Sequence, residues 1–337
     1  MPISTLDESW MLGSLRVPNR VLLAPLAGIG NWFVRLQAKR YGAGMAVSEM
    51  VSSHAIHYGN EKTCVEMLRI HPDERERGPV SIQLFGQDPQ IMRSAARAVA
   101  AAGADAIDLN MGCPVPKVCK TGSGAALLDD PDTAVAVAKA ARLGSGLPVT
   151  VKLRSGRRPG EQSGFELAHR LVKEAGVAAI GFHPRSASVQ HKGVPDYDLA
   201  ARLAQTLDAP VILTGGLRDA QFIRAAFERT GVTAVMLARG CLGNPWLFQQ
   251  LLDGSTGDPD REQVLGELEW VIMRAVEHLG EERATRYLRK FYPWYTSRME
   301  LDPRVCAGLQ GSLQTAATLE QARALLRGLP VASLAGG

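Results

Sequence analysis

Cys113 stands in Asn110-Met111-Gly112-Cys113-Pro114, directly after the apolar run Ala106-Ile107-Asp108-Leu109 and ahead of the glycine-rich loop Thr121-Gly122-Ser123-Gly124-Ala125-Ala126. A thiol between Gly and Pro at the end of a buried strand is carried outward by the turn, where it can meet a substrate. From there it can act as a general acid that delivers a proton to carbon, or as a covalent nucleophile. Cys64, Cys119, Cys241 and Cys306 have no comparable setting and read as small apolar residues. Lys152 lies inside Val149-Thr150-Val151-Lys152-Leu153, where an unpaired ammonium is costly to bury. It therefore needs an ion-pair partner, such as Glu49 or Asp108, or a polar cavity. Gln83 and Asn110 offer amide donors and acceptors. His183 and Arg185, in Gly181-Phe182-His183-Pro184-Arg185, are placed to hydrogen-bond a carbonyl or a phosphate. The remaining histidines (His54, His57, His71, His169, His191 and His278) form no metal-ligand spacing, so no metal is expected.

Positioning these groups requires a frame. Eight short runs rich in Val, Ile, Leu and Ala predict strands at 21–25, 45–50, 80–85, 106–110, 149–153, 178–182, 210–213 and 234–237. Most are continuous rather than alternating, as parallel strands buried on both faces require. Helical patterns lie between them. They cover 88–102, a segment opened by Asp130-Pro131 that stops near Gly144, 164–175, and 219–230. Eight such units over the first 250 residues predict a TIM (β/α)8 barrel. An open dinucleotide-binding sheet is disfavoured, because Pro25-Leu26-Ala27-Gly28-Ile29-Gly30-Asn31 after the first strand is not the glycine fingerprint of that fold. A linker of composition Asp253-Gly254-Ser255-Thr256-Gly257-Asp258-Pro259 follows. Beyond it, three or four amphipathic helices are expected over 261–328, and 332–337 reads as a frayed end. The expected division is a barrel over 1–250 and a smaller, all-helical domain over 251–337.

In a barrel of this kind the active site is built at the C-terminal ends of the strands. Every predicted strand delivers a polar or glycine feature there. In order these are Pro25-Leu26-Ala27-Gly28, Ser48-Glu49, Gln83, Asn110 leading to Cys113, Lys152, His183 with Arg185, Thr214-Gly215-Gly216, and Ala238-Arg239-Gly240. The last two loops have the glycines and arginine of a phosphate site. A phosphate pocket, floor amides and a central lysine together fit FMN, with Lys152 beside the N1–C2=O edge that gains negative charge on reduction. A sugar phosphate could fill the same two loops.

Composition sets bounds. The chain has 337 residues, 46% hydrophobic and 21% charged, with a formal charge of +4. It contains no apolar run long enough to span a membrane, and its start has no signal-peptide pattern. An odd count of five cysteines without a CxxC pair points to a reducing cytoplasm. The mild basicity is compatible with a polyanionic partner.

The segment Leu109-Asn110-Met111-Gly112-Cys113-Pro114, followed by Lys117-Val118 and Gly124-Ala125, resembles the signature of the tRNA-dihydrouridine synthases. Further matches are Ala24-Pro25-Leu26-Ala27-Gly28, Gln83-Leu84-Phe85-Gly86, Val151-Lys152-Leu153-Arg154, Gly243-Asn244-Pro245-Trp246, and Arg289-Lys290-Phe291 through Trp294-Tyr295. The resemblance implies an FMN enzyme that reduces the C5–C6 bond of uridines in tRNA. NADPH would recharge the flavin, flavin N5 would give hydride to C6, and Cys113 would give the proton to C5. It implies that Pro25, Leu26, Ala27, Gln83, Lys152, Gly215, Gly216 and Arg239 hold FMN. With them we group His183, Thr214 and Ala238 as cofactor contacts, and Asn110 and Arg185 as substrate contacts. Two departures are visible: Thr214-Gly215-Gly216 where the family often has Asn-Gly-Asp, and His183-Pro184-Arg185-Ser186 where many members have His-Gly-Arg-Thr.

Residues 284–298 hold basic and aromatic residues and no acid, a mixture suited to RNA. Arg286, Arg289 and Lys290 are its candidate tRNA contacts. Lys117, Lys120, Arg154, Arg157 and Arg158 are expected to extend a positive rim on the barrel. The expected partners are tRNA and NADPH, with no membrane and no DNA, and the expected state is a cytoplasmic monomer. Two alternatives remain: an FMN-dependent dehydrogenase of a free pyrimidine such as dihydroorotate, and a non-catalytic tRNA-binding or tRNA-folding protein.

Overall fold

A computed structural model describes residues 5–255 and 257–329. The chain divides into two compact units: 1–240 with 247–255, and 241–246 with 256–337.

The first unit is a closed parallel barrel preceded by a hairpin that the sequence reading did not anticipate. The hairpin pairs β1 (Trp10–Leu12) with β2 (Leu15–Val17) in antiparallel register. The barrel strands follow as β3 (Val21–Leu23), β4 (Met45–Ser52), β5 (Val80–Phe85), β6 (Ala106–Met111), β7 (Val149–Arg154), β8 (Ala179–His183), β9 (Val211–Thr214) and β10 (Ala234–Leu237). They pair in chain order, and β10 closes on β3. The eight predicted strands are these eight, displaced by a residue or two at their ends. Three-residue strands carry too few residues to show a period, so the hairpin has no sequence signature. Trp10, Leu12 and Val17 pack with Leu22, Met45, Ala106, Ala179, Ile212 and Ala234, so the hairpin supplies part of the apolar floor.

Side chains alternate across a strand, and this alternation places the site. Ala106, Ala179, Ile212 and Ala234 belong to the floor. Counting by two up the same strands reaches Asp108 and Asn110, His183, Thr214, and Met236 with Ala238. Thr150, Lys152 and Arg154 lie on the same face of β7, since Asp108 pairs with Thr150 and Asn110 with Lys152. An apolar floor thus carries a polar upper layer. The helices between strands begin where Asp caps and Pro at the first turn predict. Asp88, Asp130 and Asp219 accept from Gln90 N, Thr133 N and Phe222 N, which satisfies backbone donors left open at a helix start. The 164–175 pattern is an α-helix over Ser163–Arg170 that widens to a π-turn over Leu171–Ala175.

The second unit is all-helical. Among the described residues its five helices are Arg261–Leu279, Glu281–Leu288, Tyr292–Thr296, Pro303–Thr315 and Leu319–Arg327, one beyond the upper figure of the three or four expected. The extra one is the five-residue turn Tyr292–Thr296. The expected frayed segment 332–337 lies outside the described residues.

Candidate active site

The upper layer is held by a continuous chain of hydrogen bonds. Asp108, 1% exposed, accepts from Thr150 Oγ1 at 2.5 Å and from Gln83 Nε2 at 2.6 Å. Those bonds fix the Gln83 amide, whose Oε1 then accepts from Asn110 Nδ2 at 3.0 Å. The opposite edge of the Asn110 amide accepts from Gly112 N at 3.2 Å and Cys113 N at 2.9 Å. The turn that carries the thiol is therefore tied through two amides to one buried carboxylate. A bulge in β4 contributes. The register slips between Val47 and Met50, and Ser48 Oγ takes the Gln83 N–H at 3.0 Å. The bulge brings Met50 Sδ to 3.6 Å from Asn110 Nδ2.

Burial pushes the Asp108 carboxyl up to about 6, against the pull of its hydrogen bonds to Thr150 and Gln83. The folded chain then holds this proton more tightly than the unfolded chain between the ordinary 3.8 and about 6. Stability falls as pH rises through that window, and the deficit persists at neutral pH. Asp108→Asn can keep both contacts, with its amide oxygen toward Gln83 and its N–H toward Thr150 Oγ1. Its expected melting temperature at pH 7 equals or exceeds that of the wild type, without the decline between pH 4 and 6. A variant melting well below the wild type at pH 7 would show that the charge itself is required.

Cys113 is half-buried, and its carbonyl accepts from Ala125 N at 3.0 Å and from Cys119 Sγ at 3.3 Å. Burial raises the thiol above the ordinary 9.0, although the Val115 N–H and the charges of Arg154 and Lys152 oppose the rise. It is thus a protonated thiol at neutral pH. Gly124 permits the fold-back of this loop. Its φ is +63°, and a Cβ there would lie 2.8 Å from the Cys113 carbonyl oxygen.

Lys152 makes no ion pair among the described residues. Glu49 accepts from Gly28 N at 2.8 Å instead, and both Asp108 oxygens serve Gln83 and Thr150. Burial, then repulsion from Arg154, brings the ammonium down to about 8. An anion arriving beside it would restore the charge. Arg154 departs from the expected positive rim. It is 4% exposed and reaches three carbonyls: Gly112 O at 3.0 Å, Ser186 O at 3.0 Å and Gln190 O at 2.7 Å. It stitches the Cys113 turn to the loop after β8. Lys117, Lys120 and Arg158 are exposed.

At the ends of β8, β9 and β10 the charges are nearly all of one sign. His183 is buried and lies 3.3 Å from Arg185 Nη1. Burial first, then the charges of Lys152, Arg154 and Arg185, keep it neutral. His191 stacks over it at 6.2 Å, and burial with Arg239, Arg154 and Arg185 brings it down to about 4. Arg239 and Arg218 also act on Arg185, whose Nε is buried without a hydrogen-bond partner among the described residues. No carboxylate figures among the charges acting on these three groups. A cationic cluster with an unmet N–H donor is an environment suited to an anion. Gly215 and Gly216 border it with φ of +99° and +81°, and Tyr197 Oη donates to Gly215 O at 2.9 Å. Thr214 is buried beneath, Ala238 is half-buried and Arg239 exposed. Beside β10, at the end of β3, Leu26 O accepts from Ile29 N at 3.1 Å and Gly30 N at 2.7 Å, which folds Pro25-Leu26-Ala27 into a tight turn. The strand-end residues named from the sequence lie at the C-terminal ends of the barrel strands or in the loops that follow them. Thr150 and His191 join them, and Ser48, Asp108 and Arg154 take contacts that the sequence did not show. Strand alternation was the available signal for Asp108 and Thr150; for His191, reached by a loop, there was none.

Within the helical unit Arg286 pairs with Glu282 at 2.9 Å, Arg289 Nη2 donates to Ala316 O at 3.2 Å, and Lys290 lies over the Tyr287 ring at 4.8 Å. Phe291, Tyr292 and Tyr295 are buried, so those rings build the unit's core.

An eight-stranded parallel barrel with a polar, cation-rich mouth defines a (β/α)8 protein with its site at the C-terminal ends of the strands. The sequence profile of the family described as Dihydrouridine synthase (Dus) matches residues 22–325, and the chain belongs to that family. It is 33% identical over 293 residues to tRNA-dihydrouridine synthase B of Pseudomonas aeruginosa, covering 86% of this chain and 87% of the relative. It is 34% identical over 334 residues to the Xanthomonas campestris protein of the same name, covering 96% and 97%. A probable tRNA-dihydrouridine synthase of Mycobacterium tuberculosis is 37% identical over 301 residues, covering 84% and 76%. Among solved structures, morphinone reductase shares the fold at a TM-score of 0.56 and 16% identity, over 77% of this chain and 94% of that one. No described helix is long and apolar enough to cross a membrane.

Proposed function

We propose that the protein reduces the C5–C6 double bond of uridine in tRNA to dihydrouridine, with FMN as bound cofactor and NADPH as reductant. The observation that carries this reading is the bonded path from Asp108 to the Cys113 turn, beside Lys152 and a cluster of cations.

The residues present fit FMN. The unmet Arg185 Nε and the glycine turn at 215–216 suit its phosphate, together with His183, Thr214, Ala238 and Arg239. Pro25, Leu26 and Ala27 offer a turn after β3, the strand beside β10, and Gln83 and Lys152 offer polar groups in the upper layer. FMN held by these residues would supply the hydride chemistry, with NADPH as its reductant. The protein does the rest. Asn110 holds the Cys113 turn and, with Arg185, contacts the substrate. Cys113 holds a proton at Sγ and delivers it to C5, which a thiol raised above its ordinary range is suited to do. Lys152, neutralised in part by burial, regains its proton next to a developing negative charge.

Unmodified tRNA transcript, NADPH and the purified holoenzyme should yield dihydrouridine, measured by nucleoside mass spectrometry. Reduction of free pyrimidines with equal efficiency would move the reading to a small-molecule dehydrogenase. A yellow-less protein that binds tRNA and turns over nothing would make it a binding protein.

The helical unit is the proposed tRNA-binding domain of a cytoplasmic monomer. Neutralising Arg286 and Lys290, both exposed, should weaken tRNA binding and reduce the slope of log affinity against log salt by about one for each phosphate left without its cation. Arg289 should behave differently, because it also caps Ala316 O and its loss lowers the melting temperature as well. An affinity unchanged across a salt titration would place the RNA elsewhere.

A further inference from the structure

A groove of about 450 Å³ opens beside the catalytic turn, within the barrel unit. It begins at Pro114, the residue after Cys113, and is walled by the loops after β6, β7 and β8. Its volume is that of a small-ligand site. Pro114, Ala125 and Ala187 give it an apolar wall, and Ser188, Gln190 and Arg158 give it polar groups.

The walls are built rather than incidental. Ala187 N donates to Gly156 O at 2.8 Å and Ser188 N to Arg157 O at 3.0 Å. Arg154 joins two of the three loops through Gly112 O and Gln190 O. Gln190 adopts a φ of +53°, which a non-glycine residue takes only when its surroundings hold it there. Both acids of the groove already have partners. Glu161 Oε2 accepts from Arg157 N at 3.0 Å and Arg158 N at 2.8 Å, and Asp129 faces Arg157 Nη1 at 3.6 Å. The Arg158 side chain is exposed and has no acid partner among the described residues.

A uridine turned into the mouth of the barrel stays joined to its neighbours by phosphodiesters. The groove starts one residue from the thiol that such a uridine must meet, so an adjoining nucleotide falls within it. An apolar wall suits a base face, hydroxyl and amide groups suit its edge, and a solvent-facing guanidinium suits its phosphate.

We propose that this groove binds the nucleotide next to the target uridine, and that Arg158, Ser188 and Gln190 govern which neighbour is accepted. The proposal rests on tRNA being the substrate.

Cys119 lines the same groove and reports on its occupancy. In Cys113→Ala holoenzyme, alkylation of Cys119 by iodoacetamide is followed by peptide mass spectrometry, while tRNA binding is followed separately by fluorescence anisotropy. Saturating tRNA should slow Cys119 alkylation at least about tenfold, and Arg158→Ala should raise the tRNA concentration for half-protection by about tenfold, the effect of removing one charge-assisted hydrogen bond. Alkylation at the free rate while anisotropy shows tRNA bound would overturn the groove assignment and leave the substrate reading standing. A flat anisotropy curve would overturn the substrate reading, and this proposal with it. A second readout uses transcripts that differ only in the base beside the target uridine. Ser188→Ala with Arg158→Ala should shift the ratio of their kcat/KM values by about tenfold against the wild type. An unchanged ratio overturns the assignment even if Cys119 proves unreactive.

Discussion

Replacing Cys113 by alanine is expected to lower dihydrouridine formation by about a hundredfold to ten-thousandfold, the range removed with one general acid. The thiol is the only titratable side chain on the turn that Asn110 holds. Alanine keeps every backbone bond of that turn: Cys113 N to Asn110, Ala125 N to the residue 113 carbonyl, and Cys119 Sγ to the same oxygen. Flavin content and tRNA affinity should therefore match the wild type, which separates lost chemistry from lost binding. The pH dependence follows from the same thiol. An acid is competent below its pKa and is lost as pH rises through it. Burial lifts this pKa above the ordinary 9.0, so the rate should hold across neutral pH and fall only in the alkaline range. A rate that rises with pH through the neutral range would instead indicate a thiolate nucleophile. Dihydrouridine formed by the alanine variant at the wild-type rate would remove Cys113 from the mechanism.

Gly215→Ala is the second large effect. The φ of +99° at this position is costly for any residue with a side chain, about 1–3 kcal/mol. An added Cβ would also overlap the His183 ring. His183 is confined, because it is buried, faces Arg185 Nη1 at 3.3 Å and lies under His191. Relief must come from moving the 214–216 turn out of the cationic cluster. Since a tenfold change in affinity is about 1.4 kcal/mol, FMN should bind at least about tenfold more weakly. Flavin fluorescence during titration of the apoprotein measures this directly. Gly146→Ala provides the comparison, because Gly146 has a similar positive φ of +69° and open space around it. It should lose some stability and no flavin. Equal flavin affinity in both variants would detach Gly215 from the cofactor site.

Much of this architecture was legible in the linear order of residues. Parallel strands buried on both faces must be apolar, so eight short apolar runs separated by Asp- or Pro-initiated helices point to one closed sheet. The chemistry-bearing residues could be found because the barrel gathers whatever stands at the C-terminal ends of its strands. Cys113, Lys152, His183 and Gly215 were therefore readable as one set. Three things required the tertiary structure. One is which bonds each polar group makes: that Lys152 pairs with neither Glu49 nor Asp108, and that Asp108 instead anchors Gln83, Asn110 and the Cys113 turn. Another is that Arg154, read as a surface cation, lies under the loops on three carbonyls. The last is the inward packing of Phe291, Tyr292 and Tyr295. Residue type and spacing determine which groups reach a site, because strand periodicity is a local property of the backbone. Which of those groups bond to one another depends on distances across different strands and loops, and closure of the barrel sets those distances.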